Sequence, residues 1–275
     1  MLIDSHAHLD SERYAEDREA MLSRAWASGV GAVLAIGIGD GPAEMQQALD
    51  ICRRYKGLAA LPQLYASAGI YPHNTPEADD VALAKLDGLL AEPEVIACGE
   101  IGLDYYHDGA PHEVQRRGLI SQLEIAAARK RPILIHCRPK DGETDAWDHL
   151  FEVLEAHWRS TGLGGVMHCF GGGWEQASRS LELGFLVSFA GNITYPKAQP
   201  LRDVAARLPI DSILVETDAP WLAPADLRGK RNEPGWVTHT AETLAELHGI
   251  SADEIAAATT KNFERLFNLQ PVVGN

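Results

Sequence analysis

The sequence predicts a single parallel (β/α)8 TIM barrel, and three observations carry that prediction. Short apolar runs recur eight times along the 275 residues, each is continuous rather than alternating, and the segments between them have helical periodicity. A strand that is apolar on both faces must be covered on both faces, which is the environment of a parallel sheet wrapped by helices.

In order, the runs are Leu2 to His8, Val30 to Gly37, Leu64 to Ile70, Val95 to Leu103, Pro132 to Cys137, Gly165 to Phe170, Phe185 to Gly191 and Ile213 to Ala219. Between the fourth and fifth, Glu113 to Arg129 places Val114, Leu119, Leu123 and Ala127 on a helix-compatible stripe. After the eighth, Thr238 to Leu269 reads as two helices, which would pack on the barrel. A doubly wound open sheet is the competing fold. It usually needs fewer strands, and the first strand-end loop, Asp4-Ser5-His6-Ala7-His8, lacks a glycine-rich phosphate fingerprint. No repeat, low-complexity tract or linker divides the chain, so residues 1–275 are read as one domain.

With 45% hydrophobic and 23% charged residues the chain can bury a sizeable core, which argues against disorder. No basic start precedes a long apolar run, and no stretch approaches the roughly 20 apolar residues of a bilayer span, so a cytoplasmic protein without membrane association is expected. Cys52, Cys98, Cys137 and Cys169 are scattered without a CxxC, which disfavours disulfides and a structural zinc site. No feature marks an obligate protein partner. A formal charge of -15 works against wrapping duplex DNA, and for a nucleic-acid substrate favours local capture of a strand end.

His6 and His8, two apart at the end of the first run, leave on the same face. In a chain with 11 histidines such a pair is weak evidence by itself. The other candidates change the argument: Glu100 falls late in strand four, His136 in strand five, His168 in strand six and Asp218 in strand eight. In a parallel barrel these ends share one mouth, where barrel active sites are built. Buried acids and imidazoles are costly unless paired or metal-bound, so this recurrence is poorly explained by packing. Four histidines and two carboxylates exceed one tetrahedral site and suit two divalent ions, with Glu100 as the bridge. His6, His8 and Asp218 would hold one ion, His136 and His168 the other. Nitrogen and oxygen ligands admit Zn, Mn, Fe or Co, and Mg less comfortably.

The strings Asp4-Ser5-His6-Ala7-His8, Gly99-Glu100-Ile101-Gly102-Leu103-Asp104-Tyr105, Ile135-His136-Cys137-Arg138, His168-Cys169-Phe170 and Glu216-Thr217-Asp218-Ala219-Pro220 resemble, in order, the signatures of the TatD family. Arg228-Gly229-Lys230-Arg231-Asn232-Glu233-Pro234 does too, and the likeness runs from residue 3 to about residue 267. The resemblance implies an amidohydrolase-type barrel, divalent metals (Mg, Mn or Zn) and nuclease activity on DNA, often from the 3′ end. It implies the ligand set His6, His8, Glu100, His136, His168 and Asp218. Departures from the usual pattern are Gly171, Leu119 and a slightly long loop from Pro139 to Thr144.

The mechanism read from these residues has the ions activating a water for attack on phosphorus, Asp218 orienting that water and accepting its proton, and Glu100 bridging. Arg228, Lys230 and Arg231 form a basic cluster beyond strand eight, read as phosphate contacts, with Arg138 and His73 as further candidates. Glu216 is read as an orienter one layer below Asp218, and Asp104 as a residue of the pocket rim. For Trp221 and Trp236 packing is favoured over stacking on a base. Two other functions compete. A hydrolase of an amide, lactone or aminoacyl ester could use the same barrel, although Glu100 stands where amidohydrolases carry a metal-bridging lysine. A non-catalytic metal-binding protein should have lost ligands, and all six are present.

Overall fold

The eight apolar runs become eight strands in the computed structural model of the protein, which describes residues 1–271; residues 272–275, read above as part of the same domain, lie outside the described residues. Among the described residues the strands are β1 (Leu2–Ala7), β2 (Val30–Ala35), β3 (Gln63–Ala68), β4 (Val95–Asp104), β5 (Ile133–Arg138), β6 (Gly165–Met167), β7 (Phe185–Phe189) and β8 (Ile213–Val215). Helices alternate with them: α1 (Arg18–Ala27), α2 (Gln47–Tyr55), α3 (Asp80–Leu90), α4 (His112–Arg129), α5 (Asp145–His157), α6 (Trp174–Glu182) and α7 (Gln199–Ala205). The pair α8 (Val237–His248) and α9 (Ala252–Phe267) follows the last strand.

The strands pair in sequence order and in parallel from β1 to β8. Beyond β8 the ring closes on itself: Asp218 N–H donates to the His6 carbonyl at 2.9 Å and His8 N–H to the Ala219 carbonyl at 2.8 Å. The architecture is therefore a (β/α)8 barrel, and the doubly wound alternative is excluded.

Side-chain alternation divides the interior into layers. Ile3, Leu34, Ile96, Leu134, Val166, Leu186 and Leu214 form an apolar lower layer, and Phe263 and Phe267 of α9 join the same cluster. Two residues further along β5, β6 and β8, the same parity brings His136, His168 and Glu216 into the barrel. The final helix thus contributes to the core, where each buried phenyl ring contributes about 1.5–3 kcal/mol. A capping box between Ser251 and Glu254 starts that helix, and left-handed Asn268 ends it.

His168 and Asp218 lie past the last paired residues Met167 and Val215, not within strands six and eight as expected. The physical reason is local: Cys169 (φ 43°) and Asp218 (φ 55°) are left-handed, which turns the chain out of the ladder. The mouth is braced by α4. Gln115 accepts from Asp104 N–H at 2.8 Å and donates to the Asp104 carbonyl at 2.8 Å, fixing the end of β4. Among the described residues no helix is long and apolar enough to cross a membrane.

Candidate metal centre

The six predicted ligand residues converge at the C-terminal mouth. The Glu100 carboxylate divides them. Its Oε2 lies 3.4 Å from His6 Nε2 and 3.8 Å from His8 Nε2, while its Oε1 lies 2.8 Å from His136 Nδ1 and 3.6 Å from His168 Nε2. Asp218 Oδ1 is 3.4 Å from His8 Nε2, 3.8 Å from His6 Nε2 and 3.9 Å from His168 Nε2. His6 and His168 stack with ring centroids 3.4 Å apart. His6, Glu100 and His168 are buried; His8, His136 and Asp218 are partly open.

Most of these separations are too long for good hydrogen bonds and suit donor atoms facing a shared cation. Charge supports the same fit. Burial alone would raise the Glu100 pKa, but His168, His136 and His6 hold it well below the usual carboxylate range. Burial alone would lower His168, yet Glu216, Glu100 and Asp218 outweigh it and push its pKa up to about 10. The cavity therefore stabilises positive charge, and its donors are the nitrogen and oxygen atoms that divalent transition metals accept. His6, His8 and Glu100 offer one ligand set, and Glu100, His136 and His168 another, each with its ligand atoms within 4.8 Å of one another.

A second set of residues aims the first. Glu216, buried and one layer deeper, places Oε1 2.9 Å from His168 Nδ1 and accepts Cys169 N–H at 2.6 Å. Asp104 was expected at the pocket rim. It is instead fully buried, because α4 and the turn after β4 close over it. Its Oδ2 lies 2.9 Å from His107 Nδ1, 3.3 Å from His73 Nε2, 3.4 Å from His136 Nε2 and 3.4 Å from the Tyr71 hydroxyl. Burial would raise this carboxyl, but the contacts with His136 and His107 hold it far below its ordinary value. His73, proposed above for phosphate, faces Asp104.

Several residues here were missed from the sequence. Asp4 joins β1 to the turn bearing Asp218, accepting Thr217 N–H at 2.9 Å and the Thr217 hydroxyl at 2.6 Å. Tyr71 and His107 gave a faint signal, as neighbours of His73 and Asp104 in sequence. Cys169, not among the candidate ligands above, offers its sulfur with His168 and Asp218. A Cβ on Gly171 would meet only the Cys169 carbonyl oxygen, at 4.0 Å, and Leu119 is buried in the core, so neither departure reaches a ligand.

The basic cluster splits. Arg231 forms a bidentate ion pair with Asp17, at 2.7 and 2.8 Å, and donates to the Arg13 carbonyl at 2.6 Å. Arg228 and Lys230 are exposed, and among the described residues neither has a carboxylate within ion-pair distance. Arg138 is exposed at the end of β5 and stacks over Tyr106. Trp221, for which packing was favoured, is 49% exposed, whereas Trp236 is partly buried. A surface groove of about 780 Å³ between residues 15–23 and 54–61 holds none of the candidate ligands.

Comparison with known proteins gives a consistent answer. The model of the family described as TatD related DNase matches residues 3–268. An uncharacterized metal-dependent hydrolase, YabD of Bacillus subtilis, is 36% identical over 98% of this chain and 100% of its own. The 3′-5′ ssDNA/RNA exonuclease TatD of Escherichia fergusonii is 33% identical over 98% and 99%. The crystal structure of the TatD homologue YjjV from Escherichia coli superposes with a TM-score of 0.87 at 35% identity, covering 98% of each chain.

Proposed function

Because this chain belongs to the family of TatD-related DNases, and is on that ground a metal-dependent hydrolase, we propose that it is a phosphodiesterase that shortens single-stranded DNA, or RNA, from the 3′ end. The observation that carries the reading is the Glu100 carboxylate set between two histidine pairs, with Asp218 beside one of them. The exonuclease name of the Escherichia fergusonii relative supports the choice of substrate.

In this reading His6, His8, Glu100 and Asp218 would hold one divalent ion, and Glu100, His136 and His168 would hold a second. Bound divalent cations supply Lewis acidity toward phosphate oxygens and toward water. Asp218 would orient the attacking water and accept its proton, since its side chain is more open than that of Glu100. Glu216 holds the His168 ring and Asp104 the His136 ring, so both imidazoles are aimed before substrate arrives. Arg228, Lys230 and Arg138 contact phosphates of the strand. The net charge of -15 opposes broader contact and favours a terminus over a duplex interior.

The test is hydrolysis of a labelled single-stranded oligonucleotide by the metal-loaded protein beside Glu100→Ala, with Mg, Mn and Zn supplied separately. Shortening from the 3′ end that disappears in the variant supports the reading. No cleavage with any ion, in protein shown to hold metal, refutes it and directs the search to aminoacyl esters, amides and lactones.

A further inference from the structure

Beside the metal centre lies a cleft of about 320 Å³, at the small end of ligand sites, which run roughly 300–1,000 Å³. Arg13, Tyr195, Trp221, Arg228 and Lys230 line it. Its position is tied to the candidate ligands: Trp221 N–H donates to the Asp218 carbonyl at 2.9 Å, so the indole stands on the turn that begins at Asp218. Asn232 accepts no freedom there either, donating to the Trp221 carbonyl at 2.6 Å and to the Thr217 carbonyl at 2.9 Å.

Two aromatic rings and four basic side chains, Arg231 included, line this cleft. The Arg13 guanidinium sits 4.3 Å from the centroid of Trp221, and that of Arg228 sits 4.8 Å from the centroid of Tyr195. Trp221 nevertheless leaves 49% of its surface in solvent. Tyr195 is anchored by donating its hydroxyl hydrogen to the Ala223 carbonyl at 3.0 Å. Arg231 is committed to Asp17, and its hydrogen bond to the Arg13 carbonyl joins the backbone of that wall to the basic loop. Arg13, Arg228 and Lys230, by contrast, have no carboxylate within ion-pair distance among the described residues, on a chain where carboxylates far outnumber basic groups.

An exposed indole beside cations that no carboxylate neutralises complements what single-stranded nucleic acid offers: a π-face on each base and a phosphate at each step. We propose that this cleft is the subsite for the nucleotides that lead into the scissile bond, with a base stacked on Trp221 and the neighbouring phosphates held by Arg13, Arg228 and Lys230. The proposal rests on the nuclease reading above and names the part of the substrate that is gripped. It also accounts for strand preference, because a base already stacked in a duplex cannot lie on the indole.

The test measures binding by the metal-loaded full chain of a fluorescein-labelled oligothymidylate whose 3′ linkages are phosphorothioate, beside the same strand with abasic 3′ residues. Trp221→Ala weakens binding of the natural strand about tenfold, Trp221→Phe restores most of it, and the abasic strand binds wild type and Trp221→Ala alike. Arg13→Ala, Arg228→Ala and Lys230→Ala weaken both strands, each lowering the slope of log affinity on log salt by about 0.7. If Trp221→Ala weakens natural and abasic strands equally, or weakens neither, the subsite is refuted while cleavage by wild type leaves the nuclease reading standing. A wild type that binds neither strand and leaves an unmodified oligonucleotide uncleaved overturns both.

Discussion

Glu100 places one carboxylate oxygen 2.8 Å from Nδ1 of His136, while its other oxygen faces His6 and His8. Under the proposed bridging role the residues are unequal. His8→Ala and His136→Ala should each retain one tight equivalent of metal, whereas Glu100→Ala should lose both, as read by metal analysis after dialysis. Each change removes several kcal/mol of transition-state stabilisation, so turnover should fall on the order of 10³-fold. Equal metal content in all three variants would contradict the bridging role.

Glu216 is fully buried and fixes His168 from below at 2.9 Å. Glu216→Gln keeps the shape and removes the charge. Metal affinity, measured by competition with a chelator, should drop about 10- to 100-fold. Turnover at saturating metal should recover most of its loss. A variant that stays slow at saturating metal would mean that Glu216 acts on the reaction itself.

Arg231 is predicted to support the fold rather than the strand. Its ion pair with Asp17, which Arg24 also joins, is only partly shielded, so Arg231→Ala should cost about 0.5 kcal/mol in urea unfolding. The contact with Arg231 is the largest influence lowering the Asp17 pKa from 3.8 to about 2. A carboxylate depressed in the folded state stabilises the fold above its ordinary value and loses that contribution as the pH falls through the depressed one. The difference between wild type and Arg231→Ala should therefore be full above pH 4 and vanish as the pH falls through about 2.

Gly102 lies in β4 opposite His136 of β5 with φ +143°, and a Cβ there would come within 1.9 Å of the His136 carbonyl oxygen. Neither the backbone conformation nor the space admits a side chain. Gly102→Ala should destabilise the fold by about 3 kcal/mol or more and weaken metal uptake with it, because relief of the clash moves His136. A thermal midpoint equal to that of wild type would show that the strand pair yields without strain.

Much of the barrel was legible because a parallel strand buried on both faces is written as a continuous apolar run; Val30 to Gly37 and Val95 to Leu103 announce β2 and β4 by composition alone. The ends were less legible at β6 and β8. There the left-handed Cys169 and Asp218 leave the ladder, and nothing in an apolar run marks that departure. The site residues could be nominated because imidazoles and carboxylates at the ends of apolar runs are conspicuous, and barrel topology brings those ends to one mouth.

What the sequence determined by itself was the strand count, the mouth and the six residues that meet there, all consequences of local composition and chain order. Only the tertiary structure decided which cations are free and which are spent. Arg231 and Arg228 are three residues apart and read alike, but Asp17 from the entry to α1 reaches one and, among the described residues, no carboxylate reaches the other. It also decided that Asp104 is buried beside His136 and that Trp221 stays in solvent. Pairing and exposure depend on what distant segments bring within a few ångströms, and a single sequence carries that information only through the fold.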